Sequence, residues 1–73
     1  MEIFAERIKA LRKQKKISQQ KMAELIGIDV RLYQYYESNE KCPSLSNALN
    51  IAVALSVSLD YLCGLTEKSE INS

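Results

Sequence analysis

The 73-residue sequence predicts an all-α domain of five short helices. Two observations carry that expectation. Apolar residues recur at helical spacing through most of the chain, and each run after the first begins just behind a serine or aspartate able to cap a helix. No segment alternates apolar and polar residues strongly enough to compete as a strand, and no internal repeat is visible. Within the pattern, residues 18–37, SQQKMAELIGIDVRLYQYYE, hold two short helical patterns split by a turn containing Gly27. That is the layout of a helix-turn-helix.

Phe4, Ile8 and Leu11 fall at i, i+4 and i+7 and mark a first helix over about residues 2–14, with Ala5 on its flank. Ser18 caps the second helix and Asp29 the third, each side-chain oxygen accepting from an otherwise unpaired backbone N–H in the first turn. Between them Gly27 directly follows Ile26 and can take the left-handed conformation that stops a helix. On the third helix Leu32, Tyr33 and Tyr36 gather on one side, while Arg31, Gln34, Tyr35 and Ser38 gather on the other. SNEKCPS then reads as a loop, because Pro43 disfavours helix in the residue before it. Ser44 caps a fourth helix in which Leu45, Ala48, Leu49, Ala52 and Leu55 are expected to share the buried face, widened by Ile51 and Val53. A fifth, Leu59–Cys63, is capped by Ser58 and stopped by Gly64. The domain is therefore expected to span residues 1–65, with TEKSEINS at 66–73 a polar, frayed tail.

Composition removes several function classes. A chain of this size buries only about 60% of its unfolded surface, so modest stability is expected. It has no apolar run near the roughly 18 residues of a membrane span, and its start, MEIFAERIKA, alternates charge with apolar residues unlike a secretory signal. A cytoplasmic location is expected. Two cysteines and no histidine are too few to close a metal site, so neither a metal nor another cofactor is expected. Cys42 lies in the loop before Pro43, and Cys63 is expected to pack as a small hydrophobe. Without histidine, a carboxylate pair or a nucleophile elbow, catalysis is not expected.

The net charge of +1 hides an uneven distribution. Residues 7–31 carry Arg7, Lys9, Arg12, Lys13, Lys15, Lys16, Lys21 and Arg31 against Glu24 and Asp29, a net +6. Residues 42–73 carry a net −2. Such a field steers a polyanion to the N-terminal half. The outer face of the third helix suits that polyanion. Arginine forks onto guanine O6 and N7, glutamine pairs with adenine N6 and N7, and tyrosine offers a ring for the thymine methyl or a hydroxyl for phosphate. Val30 in the first turn adds an apolar contact. Any exposed helix face is polar, but the capped helix and glycine turn in front of this one favour DNA reading by Val30, Arg31, Gln34 and Tyr35.

With these residues placed, the chain resembles the phage repressor and Cro class of helix-turn-helix proteins, the Xre-type regulators of bacteria and their prophages. The likeness covers residues 3–65 through RIKALRKQKK, SQQKMAELIGID, YQYYESNEK, PSLSNALNIAVAL and VSLDYLCGLT, and their order and spacing are specific. It implies a lambda-repressor-like domain and a dimeric, sequence-specific DNA binder that usually represses transcription. Gln19 matches the family's glutamine that binds phosphate and buttresses the recognition helix. Val30, Arg31 and Tyr35 match positions facing base edges, and Tyr33 and Tyr36 match core positions. Arg12 and Glu37 match an ion pair joining the first and third helices. Further phosphate contacts are expected from the lysines Lys21 and Lys41 and from the backbone around Ser38, Asn39 and Lys41. Where the family often has glycine, this chain has Lys16, Asn39 and Ser56, so the backbone there is strained or the helices end differently.

The C-terminal part carries more apolar residues than one inward face can hold, which predicts a homodimer through Val57, Leu59, Tyr61, Leu62 and Leu65, with closure of the monomer core as the alternative role of Leu59 and Leu62. Two recognition helices so paired would meet half-sites about 34–36 Å apart on pseudo-palindromic double-stranded DNA. No small-molecule ligand is evident. The leading expectation is a transcriptional repressor. A protein-interaction module that has kept the fold, and a DNA-binding antitoxin of a toxin pair, are the alternatives.

Overall fold

A computed structural model describes residues 2–68. Five helices follow in order: α1 (Glu2–Gln14), α2 (Gln19–Ile26), α3 (Val30–Glu37), α4 (Leu45–Leu55) and α5 (Leu59–Leu62). Serine or aspartate opens all but the first. Ser18, Asp29, Ser44 and Ser58 accept from the backbone N–H of Lys21, Arg31, Asn47 and Tyr61 at 3.0–3.1 Å. The expected Tyr35-side register of α3 and the short α5 are both present, though α5 ends one residue early, with Cys63 as its C-cap.

One device ends every helix. Ile17, Ile28, Glu40, Val57 and Leu65 each donate a backbone N–H to the carbonyl five residues earlier, on Arg12, Ala23, Tyr35, Ala52 and Asp60. This is the Schellman arrangement, which satisfies carbonyls the helix leaves open but requires a left-handed residue in front of the donor. That residue is Lys16 (φ 59°), Gly27 (φ 73°), Asn39 (φ 64°), Ser56 (φ 58°) and Gly64 (φ 82°). Helices at the non-glycine sites therefore end as they would at glycine, and the backbone carries the strain. The donors Ile17, Ile28 and Val57 pack on the core, which offsets part of it.

A left-handed residue bearing a Cβ costs roughly 1–2 kcal/mol, and glycine returns part of this as unfolded-chain entropy, so Ser56→Gly should gain about 0.5–1 kcal/mol. The expected readout is a thermal midpoint higher by a few degrees. A midpoint that falls would mean the serine side chain stabilises this cap.

The core gathers Phe4 and Ile8 of α1, Met22, Ala23 and Ile26 of α2, Tyr33 and Tyr36 of α3, Ile51 and Leu55 of α4, and Leu62 of α5. The buried stripe of α4 differs from expectation. It is Ala48, Ile51, Ala52 and Leu55, whereas Leu45 and Val53 are 70% and 73% exposed and Leu49 is also exposed. Two small residues, Ala48 and Ala52, let α4 lie close to its neighbours α1 and α2, which a stripe led by leucines would prevent.

The residues expected to form a dimer surface divide between core and exterior. Val57 and Leu62 are core residues, because Val57 follows the turn of Ser56 inward and Leu62 fills the space beneath α1. Leu59 and Tyr61 are half-buried, and Leu65 is 78% exposed. Leu49, Val53 and Leu59 line one shallow depression, so the apolar surface lies on α4 and the start of α5.

Arg7 ties the end of the domain to its beginning. Its guanidinium lies 4.1 Å from the Tyr61 ring centroid and donates to the carbonyls of Tyr61 and Thr66 at 2.5 and 3.1 Å and to Glu67 at 3.2 Å. Thr66 and Glu67 are thus anchored rather than frayed, and residues 69–73 of the expected tail lie outside the described residues. Ile3 presses on Gly64, where a Cβ would come within 2.9 Å of its Cδ1. Among the described residues no helix is long and apolar enough to cross a membrane.

Candidate nucleic-acid interface

The outward side of α3 begins where its cap ends. Asp29 holds the N–H of Arg31, so the Arg31 side chain leaves the first helical turn, and it is exposed. Gln34 lies one turn on and is also exposed, while Val30 and Tyr35 are half-buried at the margins. The opposite side carries Tyr33 and Tyr36 into the core, where the Tyr36 hydroxyl accepts from Asn47 Nδ2 at 2.9 Å.

Beneath this helix sits a polar knot centred on Glu37, which sequence spacing reveals only in part. Its Oε2 accepts from Arg12 Nε at 2.6 Å and from the Tyr33 hydroxyl at 2.5 Å. Its Oε1 accepts from Arg12 Nη2 at 3.1 Å and from Gln19 Nε2 at 3.0 Å. Arg12 also donates to the carbonyl of Ile17, the residue just after the left-handed Lys16, at 2.7 Å. Burial pushes the Glu37 carboxyl up, but the hydrogen bonds from Arg12, Tyr33 and Gln19 outweigh it and hold the group below the ordinary carboxylate range. Its hydrogen bond to Glu37 raises the Arg12 guanidinium, and burial with the same carboxylate raises the Tyr33 phenol. The Tyr33 contact was available in the sequence as an i, i+4 pair with Glu37.

Gln19 reaches both ways. Its Nε2 goes to Glu37, and its Oε1 accepts from Gln34 Nε2 at 3.2 Å, so α2 is bonded to the exposed side of α3 as well as to its buried side.

The loop after α3 departs from expectation. Ser38, Asn39, Glu40 and Lys41 donate their backbone N–H groups to carbonyls of Gln34, Tyr36 and, for the last two, Tyr35. The helix end therefore uses the backbone donors expected to meet phosphate, and any contact here falls to side chains. The Ser38 hydroxyl donates to the Tyr35 carbonyl at 3.2 Å, leaving its oxygen only as an acceptor. Lys41 places its ammonium 4.9 Å from the Tyr35 ring centroid, a contact that spacing does not announce. Asn39 and Lys41 are exposed, as is Lys21 on α2. Of the basic residues counted in the N-terminal half, Arg12 and Arg7 are consumed internally by Glu37 and Glu67.

Two capped helices at a glycine turn, the second offering arginine and glutamine outward and braced from below by a buried ion pair, define a helix-turn-helix domain. Residues 8–62 match the Helix-turn-helix family, and the chain belongs to it, within the Xre type. It is 45% identical to the uncharacterised HTH-type transcriptional regulator YqaE of Bacillus subtilis, over 82% of this chain and 52% of that protein. It is 44% identical to the cryptic phage CTXphi transcriptional repressor RstR of Vibrio cholerae, over 81% and 53%. Among solved structures it resembles the P22 c2 repressor protein in complex with a synthetic operator, with a TM-score of 0.78 and 36% identity over 81% of this chain and 89% of that one. The chain spans about half the length of the curated relatives it matches.

Proposed function

We propose that this protein is a sequence-specific double-stranded DNA-binding transcriptional regulator, a repressor, that inserts α3 into the major groove. The observation that carries the reading is the exposed pair Arg31 and Gln34 on a capped α3 bonded to α2 through Gln19. Val30 and Tyr35 flank that pair and complete the base-reading set, while Gln19, Lys21, Asn39 and Lys41 supply phosphate contacts through their side chains, joined by Ser38 when its hydroxyl turns from the Tyr35 carbonyl to a phosphate oxygen. The likeness to a phage repressor and to an operator-bound repressor domain supports the same conclusion. A cytoplasmic, non-catalytic role follows from it.

The protein acts as a homodimer on a pseudo-palindrome. Leu49 and Val53 of the uncharged α4 and Leu59 at the start of α5 form an apolar surface with Asp60 at its edge, and because α3 packs on α1 and α2, burying that surface against a second copy leaves both α3 helices exposed. Selection of bound duplexes from random DNA, followed by sedimentation of the complex, tests the whole reading. A two-fold symmetric site carrying two protomers is expected. Recovery of no preferred sequence would favour a protein-interaction module, and a site occupied by one protomer would remove the dimer.

Phosphate contacts have their own signature. Lys21→Ala should weaken all duplexes alike and lower the slope of log K against log salt by about one, the release of one counterion. An unchanged slope would take Lys21 off the backbone.

A further inference from the structure

We propose that Gln19 is a specificity-positioning residue: a chain of hydrogen bonds from Glu37 through Gln19 fixes which end of the Gln34 amide faces a base. The inference rests on the DNA-reading function above. It begins from the polarity of the groups rather than from their proximity.

An ionised carboxylate can only accept. Glu37 is held in that state by Arg12, so Gln19 must offer it the amide nitrogen, as it does at 3.0 Å. The amide oxygen of Gln19 is thereby turned to Gln34. An oxygen there demands a donor in return, so Gln34 gives its nitrogen inward at 3.2 Å. Each amide has two ends and could in principle be reversed, but reversing either would set oxygen against oxygen along the chain. The buried charge thus determines the orientation of an exposed side chain two hydrogen bonds away.

The consequence is chemical. With Nε2 committed to Gln19, the Gln34 carbonyl oxygen is the end left for a base, and Nε2 keeps one further hydrogen. Gln34 meets a base with its acceptor leading, which suits the exocyclic amino group of adenine or cytosine in the major groove. A glutamine unanchored at this position could present either end and would discriminate less. Gln19, which itself need not touch a base, therefore contributes to sequence preference.

Three proteins are compared by selection from random duplexes: the wild type, Gln34→Ala and Gln19→Met. Methionine keeps the length and helical preference of glutamine and removes both hydrogen bonds. Gln34→Ala identifies the base pair read by Gln34 as the one whose preference is lost. Gln19→Met is expected to reduce preference at that same pair by at least about fivefold, the lower end of what a paired amide contributes, with the other positions of the site unchanged. Gln19→Met that weakens every sequence equally and keeps the preference would overturn the inference, since that is what a phosphate contact or a general brace does. Gln34→Ala with every preference intact would overturn it too, because Gln34 would then read nothing. A wild type that selects no sequence at all removes the DNA-reading function itself, and is told apart from both by needing no variant.

Discussion

Glu37→Ala should lower the thermal midpoint by about 12 °C or more, the largest effect expected of any single truncation in the interface. The Glu37 side chain is 3% exposed, and each of its oxygens accepts two hydrogen bonds. Removing it strands the Arg12 guanidinium, the buried Tyr33 hydroxyl and one end of Gln19 at once. Breaking a buried pair from one side costs roughly 3–5 kcal/mol, because the remaining charge keeps its desolvation penalty without its partner. A 73-residue domain is expected near the lower end of the roughly 5–15 kcal/mol range of folding stability, so a large fraction is lost. Each kcal/mol moves the midpoint of such a domain by about 4 °C or more. Thermal unfolding followed by circular dichroism gives the answer. An unchanged midpoint would mean that the pair contributes no net stability.

The same carboxylate sets an acid limit. Its folded pKa lies below its ordinary value of 4.5, so its contribution is complete above that value and is lost as the pH falls through the folded pKa. The wild type should therefore lose stability more steeply below about pH 4.5 than Glu37→Gln, which has no proton to take up there.

The elements were legible wherever local chemistry decides them. Serine and aspartate caps depend on a side chain and a backbone a few residues apart, so Ser18, Asp29, Ser44 and Ser58 could be read directly, and Gly27 announced its own turn. The orientation of α4 could not be read this way. In an uncharged helix, LSNALNIAVAL, both Leu45-Leu49-Val53 and Ala48-Ile51-Leu55 form an apolar stripe, and only the close approach of neighbouring helices chooses the second. The inward turn of Val57 is hidden for the same reason, since a surplus of apolar residues says nothing about which of them face the core, whereas core closure by Leu62 is one of the two readings its position allows. In the interface the residue types on α3 were readable from periodicity. What was hidden is how groups pair off in the fold: Arg7 with the C-terminal segment and the backbone donors after α3 with the helix end, while Lys41 lies against the Tyr35 ring and stays exposed.

Arg31→Ala should weaken binding to the selected sequence by roughly 1–3 kcal/mol, about five- to 150-fold, and relax preference at one or two base pairs. Arg31 stands in the first turn of α3, exposed, and its backbone is fixed by Asp29 at 3.1 Å, so the side chain starts from a defined point. A guanidinium there presents a planar fork that matches guanine O6 and N7, whereas a phosphate contact needs only charge. The two roles separate in a pair of variants. Arg31→Lys keeps the charge and loses the fork, so it should retain most non-specific affinity while losing discrimination nearly as fully as alanine does. Titration of the wild type and both variants against the selected duplex and a scrambled one, at two salt concentrations, reads affinity, specificity ratio and salt slope together. A specificity ratio that collapses while the salt slope stays nearly unchanged places Arg31 on a base edge. Equal loss on both duplexes, with lysine restoring the binding, would assign Arg31 to phosphate and leave Gln34 as the principal polar reader on α3.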